Sequence, residues 1–276
     1  MARTNSITWQ VGAFVLCALA NFSAAWQSTL THDPAGSFAP LRGCHASYTF
    51  SWSGIVAASG EVRYSRDASG QYQAEAQGRT QGLARAIWKY DMTHHATTDG
   101  SSLRPLEMKQ IEDDRGKKIT TTATFTREGA SSLKNDSKRD PRKPPKTKRL
   151  GLPDLYDLSA ALLYLRSQPL ADGNVYRIAV FPATSAYLTT VTVIGREKMR
   201  VHAGSFNAIK VDVQLNHVAK NLELEAHRKF KRATVWLSDD QDRVPIRIDA
   251  AVFVGTVTAE LQSITFDGAT ATKPTP

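Results

Sequence analysis

Apolar and polar residues alternate with a period of two, in run after run from about Cys44 to Phe266, and this leaves the chain few folds to choose from. A strand turns successive side chains to opposite faces, so each such run reads as a strand with one face buried and one in water. Tyr48, Phe50 and Trp52 face one way, and Ser47, Thr49, Ser51 and Ser53 the other. Val62 and Tyr64, then Tyr72, Ala74 and Ala76, repeat the pattern, as do Ile209, Val211, Val213 and Leu215. Ser69-Gly70, Asp99-Gly100 and Asp114-Arg115-Gly116 are turn signals between runs. Leu83 to Thr98 is expected to hold one more strand, ending at Asp99-Gly100. About a dozen short strands argue against a βαβ fold. They predict a mainly β domain, a single curved antiparallel sheet forming an open barrel or spiral.

One segment breaks the alternation. Residues 154–166, DLYDLSAALLYLR, place Leu155, Leu158, Leu162 and Leu165 at three- and four-residue steps, the spacing of one helical face. Ala161, Leu163 and Tyr164 fall off that stripe, so the helix is apolar on most of its circumference and is expected to be enclosed by the sheet. Asp154 is the expected N-cap, and Pro169 blocks continuation.

The first residues read as a targeting segment. Arg3, an apolar run from Val11 to Ala20 and the small residues Ser23, Ala24 and Ala25 predict export with cleavage after Ala25, giving a signal peptide over 1–25. An uncleaved anchor in the inner membrane is the alternative. A flexible lead-in over 26–43, one domain over 44–266 and a disordered tail over 267–276 complete the expected organisation. After cleavage Cys44 is the only cysteine, so such a domain must be held by packing alone.

The net charge of +9 is concentrated. Between Lys134 and Arg149 eight lysines and arginines stand against two aspartates, with Pro141, Pro144 and Pro145 among them. Proline and like-charge repulsion predict an extended solvated loop over 134–149. Lys138, Arg139, Arg142 and Lys143 are its candidate anion-binding residues. With no aromatic residue to stack a base, and with export, nucleic acid is not the expected partner; phosphates of lipid or lipopolysaccharide are.

Several stretches resemble the domain of unknown function 3108 family of exported bacterial envelope proteins. They are the helix DLYDLSAALLYLR, VTVIGREKMRVHAGSFNAIKV from Val191 to Val211, ATVWLSDDQDRVPIRI from Ala233 to Ile248, and GTVTAEL from Gly255 to Leu261. The resemblance covers about Cys44 to Phe266. It implies a periplasmic open-barrel or spiral sheet and supplies no catalytic residues.

Chemistry-bearing constellations are sparse. His94 and His95 are adjacent, so on a strand they point to opposite faces and cannot chelate one metal. Asp239, Asp240 and Asp242 lack the glycine and distal glutamate of a calcium loop; they read as turn-capping residues with Arg243 and Arg247 as ion-pair partners. Ser159 lacks the glycine-flanked elbow of a nucleophile, and no phosphate-binding, dinucleotide or zinc-protease signature is present. No cofactor or metal is expected. The leading expectation is a periplasmic, non-enzymatic binding or structural module. Its inward aromatics Tyr48, Phe50 and Trp52, with Leu158, Leu162 and Tyr164 of the helix, would hold an acyl chain or an extended peptide. The alternatives are a hydrolase of envelope polymers and a ligand-free scaffold for an envelope protein. The oligomeric state is not legible in the sequence.

Overall fold

The computed structural model describes residues 25–138, 142, 144–182, 184–227 and 230–267. The expected signal peptide and tail, with Arg139 and Lys143, therefore lie outside the described residues. The fold is mainly β, one open sheet of sixteen strands. In chain order these are β1 (Cys44–Trp52), β2 (Ile55–Arg66), β3 (Tyr72–Thr80), β4 (Tyr90–Thr98), β5 (Pro105–Asp114), β6 (Lys117–Thr126), β7 (Gly129–Asp136) and β8 (Lys146–Leu150). There follow β9 (Leu155–Tyr156), β10 (Val175–Val180), β11 (Ala186–Val201), β12 (Gly204–Val218), β13 (Leu224–Ala226), β14 (Phe230–Ser238), β15 (Pro245–Val252) and β16 (Thr256–Phe266). Helix α1 (Gly82–Ile87) sits between β3 and β4, and α2 (Leu158–Ser167) between β9 and β10. No helix among the described residues is long and apolar enough to cross a membrane.

The hydrogen-bonded path runs from β8 back to β1, crosses to β16, and continues through β15, β14, β12, β11 and β10 to β9. The two halves of the chain are thus joined at the β1–β16 ladder. Register shifts at Ser47/Tyr48, Phe50/Ser51 and Val193/Gly195 mark bulges, which add local twist and bend the sheet. The edge strands β8 and β9 are only four residues apart in sequence, and Lys148 Nζ of β8 donates to Thr184 O beyond β10 at 2.7 Å. Two apolar clusters fill the interior. One gathers Ala123, Phe125 and Ala130 of the first half with Phe181, Ala186 and Leu188 of the second. The other sets Ala160, Leu163, Tyr164 and Leu165 of α2 against β1, β10–β12 and β14–β16.

The strand expected within Leu83 to Thr98 is β4, preceded by the short helix α1, whose six residues are too few to show a helical period in the sequence. Two expectations need correction. The basic tract is not loop throughout: Lys134 pairs with Lys146 across β7 and β8, leaving 137–145 as the connection. Facing lysines are tolerated because their side chains reach water. The helical stripe is also out of phase. Leu155 belongs to β9 and Leu158, the first helical residue, is 61% exposed, while Leu163 and Tyr164 are buried. Asp157 is the N-cap, its Oδ1 accepting from Ala160 N at 2.8 Å, while Asp154 takes a left-handed φ of 60° one turn earlier.

Candidate functional site

The inner face of β1 turns Cys44, Ala46, Tyr48 and Phe50 toward α2. Val62 and Tyr64 of β2, Ile248 of β15 and Ala259 of β16 stand beside them, and Leu162 and Leu163 of the helix face them. Between these walls lies a partly open cavity of about 190 Å³. It exists because the helix does not settle onto this part of the sheet: Leu162 is only half-buried, although its neighbour Leu163 is fully enclosed.

Polar groups reach the cavity at one end, where Arg166, Asp242 and Arg243 contribute to the lining. Their polar atoms are largely engaged elsewhere. Arg166 Nε donates to Asp242 O at 3.0 Å, and its Nη2 to Gln241 O and Ala39 O. Arg42 grips the Asp242 carboxylate through Nε and Nη2, at 3.1 and 2.5 Å. Arg243 donates to Arg166 O, Gln168 O and Pro169 O, and its guanidinium lies 3.3 Å from the centre of the Phe38 ring. Cationic groups at a helix C-terminus satisfy its last carbonyls and oppose its dipole. Residues 238–243 therefore clasp the end of α2. Within the clasp Asp240 Oδ1 accepts from Ser238 Oγ and from the amides of Asp242 and Arg243.

Burial disfavours the charged form of Cys44, Tyr48 and Tyr64 on the cavity wall and of Asp157 at the start of α2. Burial pushes the Cys44 thiol up to about 11, which leaves it protonated and poorly nucleophilic. Burial also raises the Tyr48 and Tyr64 hydroxyls, and Tyr48 donates to Pro245 O at 2.8 Å. Asp157, fully buried at the start of α2, is raised to about 6 by burial, against the opposing amides of Ala160 and Ser159. Its Oδ2 has no partner.

Of the residues singled out from the sequence, the structure brings Tyr48, Phe50 and Leu162 together on the cavity. Trp52 continues the inner face of β1 but sits at the sheet's end, 51% exposed. Leu158 points into solvent. Tyr164 is buried away from the cavity, stacked on Tyr156 with its hydroxyl donating to Asp33 O. Asp239 pairs with Arg196, not Arg243 or Arg247, and Arg247 pairs with Asp249 and Glu260. The reason is that Arg243 is drawn inward to the carbonyls of Arg166, Gln168 and Pro169. Lys138 is exposed in the β7–β8 connection; Arg142 lies in the same connection. Histidine–carboxylate pairs, His45–Glu61 at 3.4 Å and His95–Glu75 at 3.9 Å, occupy the exposed outer face of β1–β4. No group of three or more metal-ligating side chains occurs among the described residues. Sequence reasoning missed Ala46 and Ala259, whose small side chains leave the cavity its room, and Arg166, whose charge sits on a buried face.

A family model described as "Protein of unknown function (DUF3108)" matches residues 47–262. No curated protein matches the chain. Among solved structures it is similar to a β-barrel-like protein of domain of unknown function DUF1849 from Brucella abortus, at 11% identity and a TM-score of 0.56, over 83% of this chain and 100% of that one. A protein with a YmcC-like fold from Bacteroides fragilis matches at 11% identity and a TM-score of 0.35, over 83% of this chain and 98% of that one. The first likeness is one of fold.

Proposed function

This chain belongs to the DUF3108 family, and because that name carries no activity we propose a function from the geometry: a cell-envelope module that holds the end of an acyl chain between α2 and the sheet. In this reading the sheet curves around α2, and the helix forms one wall of the binding site. The observation that carries it is the apolar cavity of about 190 Å³ where a purely structural domain would have side chains. An apolar cavity of about 150 Å³ stays dry and takes up a benzene-sized guest, whereas sites for whole drug-sized ligands occupy roughly 300–1,000 Å³. The space therefore suits a segment of hydrocarbon, not a complete lipid. At its polar end Arg166 is bonded to carbonyls and the Asp242 carboxylate to Arg42, so the occupant enters tail first. An extended peptide is disfavoured: the strands lining the cavity are paired on both sides, leaving no free edge to bond a peptide backbone.

Envelope location rests on the first 25 residues, whose apolar run and small residues fit an export signal cleaved after Ala25. The phosphates of lipid or lipopolysaccharide are then the anions available to the basic tract that contains Lys138, Arg139, Arg142 and Lys143. Native mass spectrometry of the protein isolated from its envelope, followed by titration with a long-chain fatty acid, tests the proposal. Co-purified or titratable acyl chains are expected, displaced by Ala259→Leu, which fills the cavity. A clean unliganded mass with no uptake on titration would refute it.

A further inference from the structure

Three consecutive connections at one end of the sheet expose apolar side chains side by side, bordered by the charged β5–β6 turn of Asp113, Asp114 and Arg115. The β1–β2 hairpin closes through Ser53 and Gly54, both at positive φ of 48° and 86°, a tight turn flanked by Trp52 and Ile55. Ile55 is 65% exposed and Val56 is exposed beside it. Next to it the β15–β16 turn carries Phe253, 74% exposed, and Val254. The two tips touch: Ser53 N donates to Thr256 O, Trp52 Nε1 donates to Val254 O at 2.8 Å, and a Cβ placed on Gly255 would come within 3.2 Å of Trp52 Nε1. On the other side Gln81 N donates to Ala57 O, which sets α1 against β2 and leaves Leu83 and Ile87 77% and 82% exposed. Trp88 closes the row, its Nε1 donating to Asp114 Oδ1 at 2.8 Å beside the β5–β6 turn.

We propose that this rim docks on a lipid bilayer surface, with Ile55, Leu83, Ile87 and Phe253 entering the acyl boundary. Its shape decides against a protein groove as partner. These side chains project from turn tips and a short helix instead of lining a concavity. An exposed apolar row of this extent calls for a cover. Trp52 and Trp88 have their indole N–H groups bonded to the protein and their rings partly exposed, the amphipathic placement found at membrane interfaces. Charge agrees. No acidic or basic residue occurs from Ala46 to Gly60 or from Ala250 to Ala259. From Gly78 to Tyr90 the charged residues are Arg79, Arg85 and Lys89, with no carboxylate. Arg85 is held by Asp91, while Arg79 and Lys89 are exposed beside the apolar row, where each cation favours an anionic surface. The inner face of β1 passes from the cavity wall at Phe50 directly to Trp52 at the rim, so docking would present the open face to the bilayer. The inference stands apart from the cavity's occupant.

The test is the partition of the full chain onto vesicles of phosphatidylethanolamine and phosphatidylglycerol. Ile55→Ser, Leu83→Ser, Ile87→Ser and Phe253→Ser combined should weaken binding about tenfold or more, since each removes apolar area that the bilayer would bury. The same change at exposed apolar sites elsewhere, Leu133→Ser with Ile194→Ser, should leave it unchanged. The first residues of the chain are common to all variants and cancel. As a second readout, lipids brominated in the acyl chain should quench tryptophan emission, and Trp52→Phe with Trp88→Phe should remove most of that quenching. Binding by the fourfold variant within a factor of about two of the parent would overturn the proposal. So would a parent dimer that the fourfold variant dissolves without loss of vesicle binding, which would make a second copy the occupant. Fatty-acid uptake by the fourfold variant should match the parent, so failure here is distinct from failure of the cavity reading.

Discussion

Asp157→Asn should abolish a specific part of this protein's pH dependence. Asp157 is wholly buried at the start of α2, accepts from Ala160 N through Oδ1, and leaves Oδ2 without a partner. Burial raises its carboxyl from 3.8 to about 6. Because the folded state holds this proton more tightly than the unfolded one, the group favours folding below its ordinary value, and that contribution is lost as pH rises from about 4 through about 6. A rise of this size corresponds to about 3 kcal/mol. Asparagine keeps a cap oxygen for Ala160 N and carries no charge. Its amide hydrogens meet the same apolar surroundings as Oδ2, a penalty of about 1–3 kcal/mol that does not vary with pH. The pH-dependent difference is therefore what discriminates. Urea unfolding of both proteins from pH 4 to pH 8 should show the stability of Asp157→Asn relative to the parent climbing by about 2 kcal/mol, nearly all of it between pH 4 and about 6, and level above that. Paired carboxylates elsewhere, such as Asp99 held near 2 by Ser101 and Ser102, titrate identically in both and cancel. Parallel curves across the whole range would refute the account of Asp157.

Arg243→Met should destabilise by about 3–5 kcal/mol in the same assay, because it strips the guanidinium from the carbonyls of Arg166, Gln168 and Pro169; Arg243→Lys should recover only part, lacking the planar fork. Cys44 should resist iodoacetamide at pH 8 in the native protein and react within minutes in urea, as read by peptide mass; native modification at the unfolded rate would contradict its burial. Ala259→Leu should raise the thermal midpoint of the unliganded protein while eliminating acyl uptake, and a fall in midpoint would mean that the cavity cannot accept the added volume.

The sheet was legible because period two is enforced by one wet face and one dry face; β12 follows it at Ile209, Val211 and Gln214 but departs from it at Asp212, which is buried and paired with Arg232. What escaped was whatever depends on which strands meet. Leu163 and Tyr164 look like the back of a helical stripe, yet tertiary packing buries them and exposes Leu158, since Leu158 begins the helix just after the short strand β9. The acidic turn reads correctly as a turn, but its partners come from Arg42 and Arg196, about 200 and 43 residues away, and no local pattern could name them. Half of the cavity wall could be read from the alternation of β1; the other half, Ala259 and Arg166, arrives through the β1–β16 pairing and the seat of the helix. The rim was invisible for the opposite reason. Trp52 and Ile55 look like core residues until the turn at Ser53-Gly54 places them at the sheet's end.

An apolar cavity left in a folded domain is an expense that local collapse would normally remove. At roughly 24 cal/mol per Å³ a void of about 190 Å³ forfeits up to about 4–5 kcal/mol, less where the space is open. For the void to persist, α2 must be prevented from sinking into it. Asp157 caps its first turn, Tyr164 in its second half is bonded to Asp33 O, and its C-terminal end is held by Arg243 and Arg166, which engage carbonyls on both sides of the 238–243 clasp. Both anchors carry an unpaired buried atom, Asp157 Oδ2 and Arg243 Nε, so neither is optimised for stability alone. A helix capped at its start and held at its C-terminal end over a gap, with small residues Ala46 and Ala259 facing it, leaves the room that the proposed hydrocarbon would fill. In that reading residues 238–243 of the segment WLSDDQDRVPIRI keep one wall of the cavity in place.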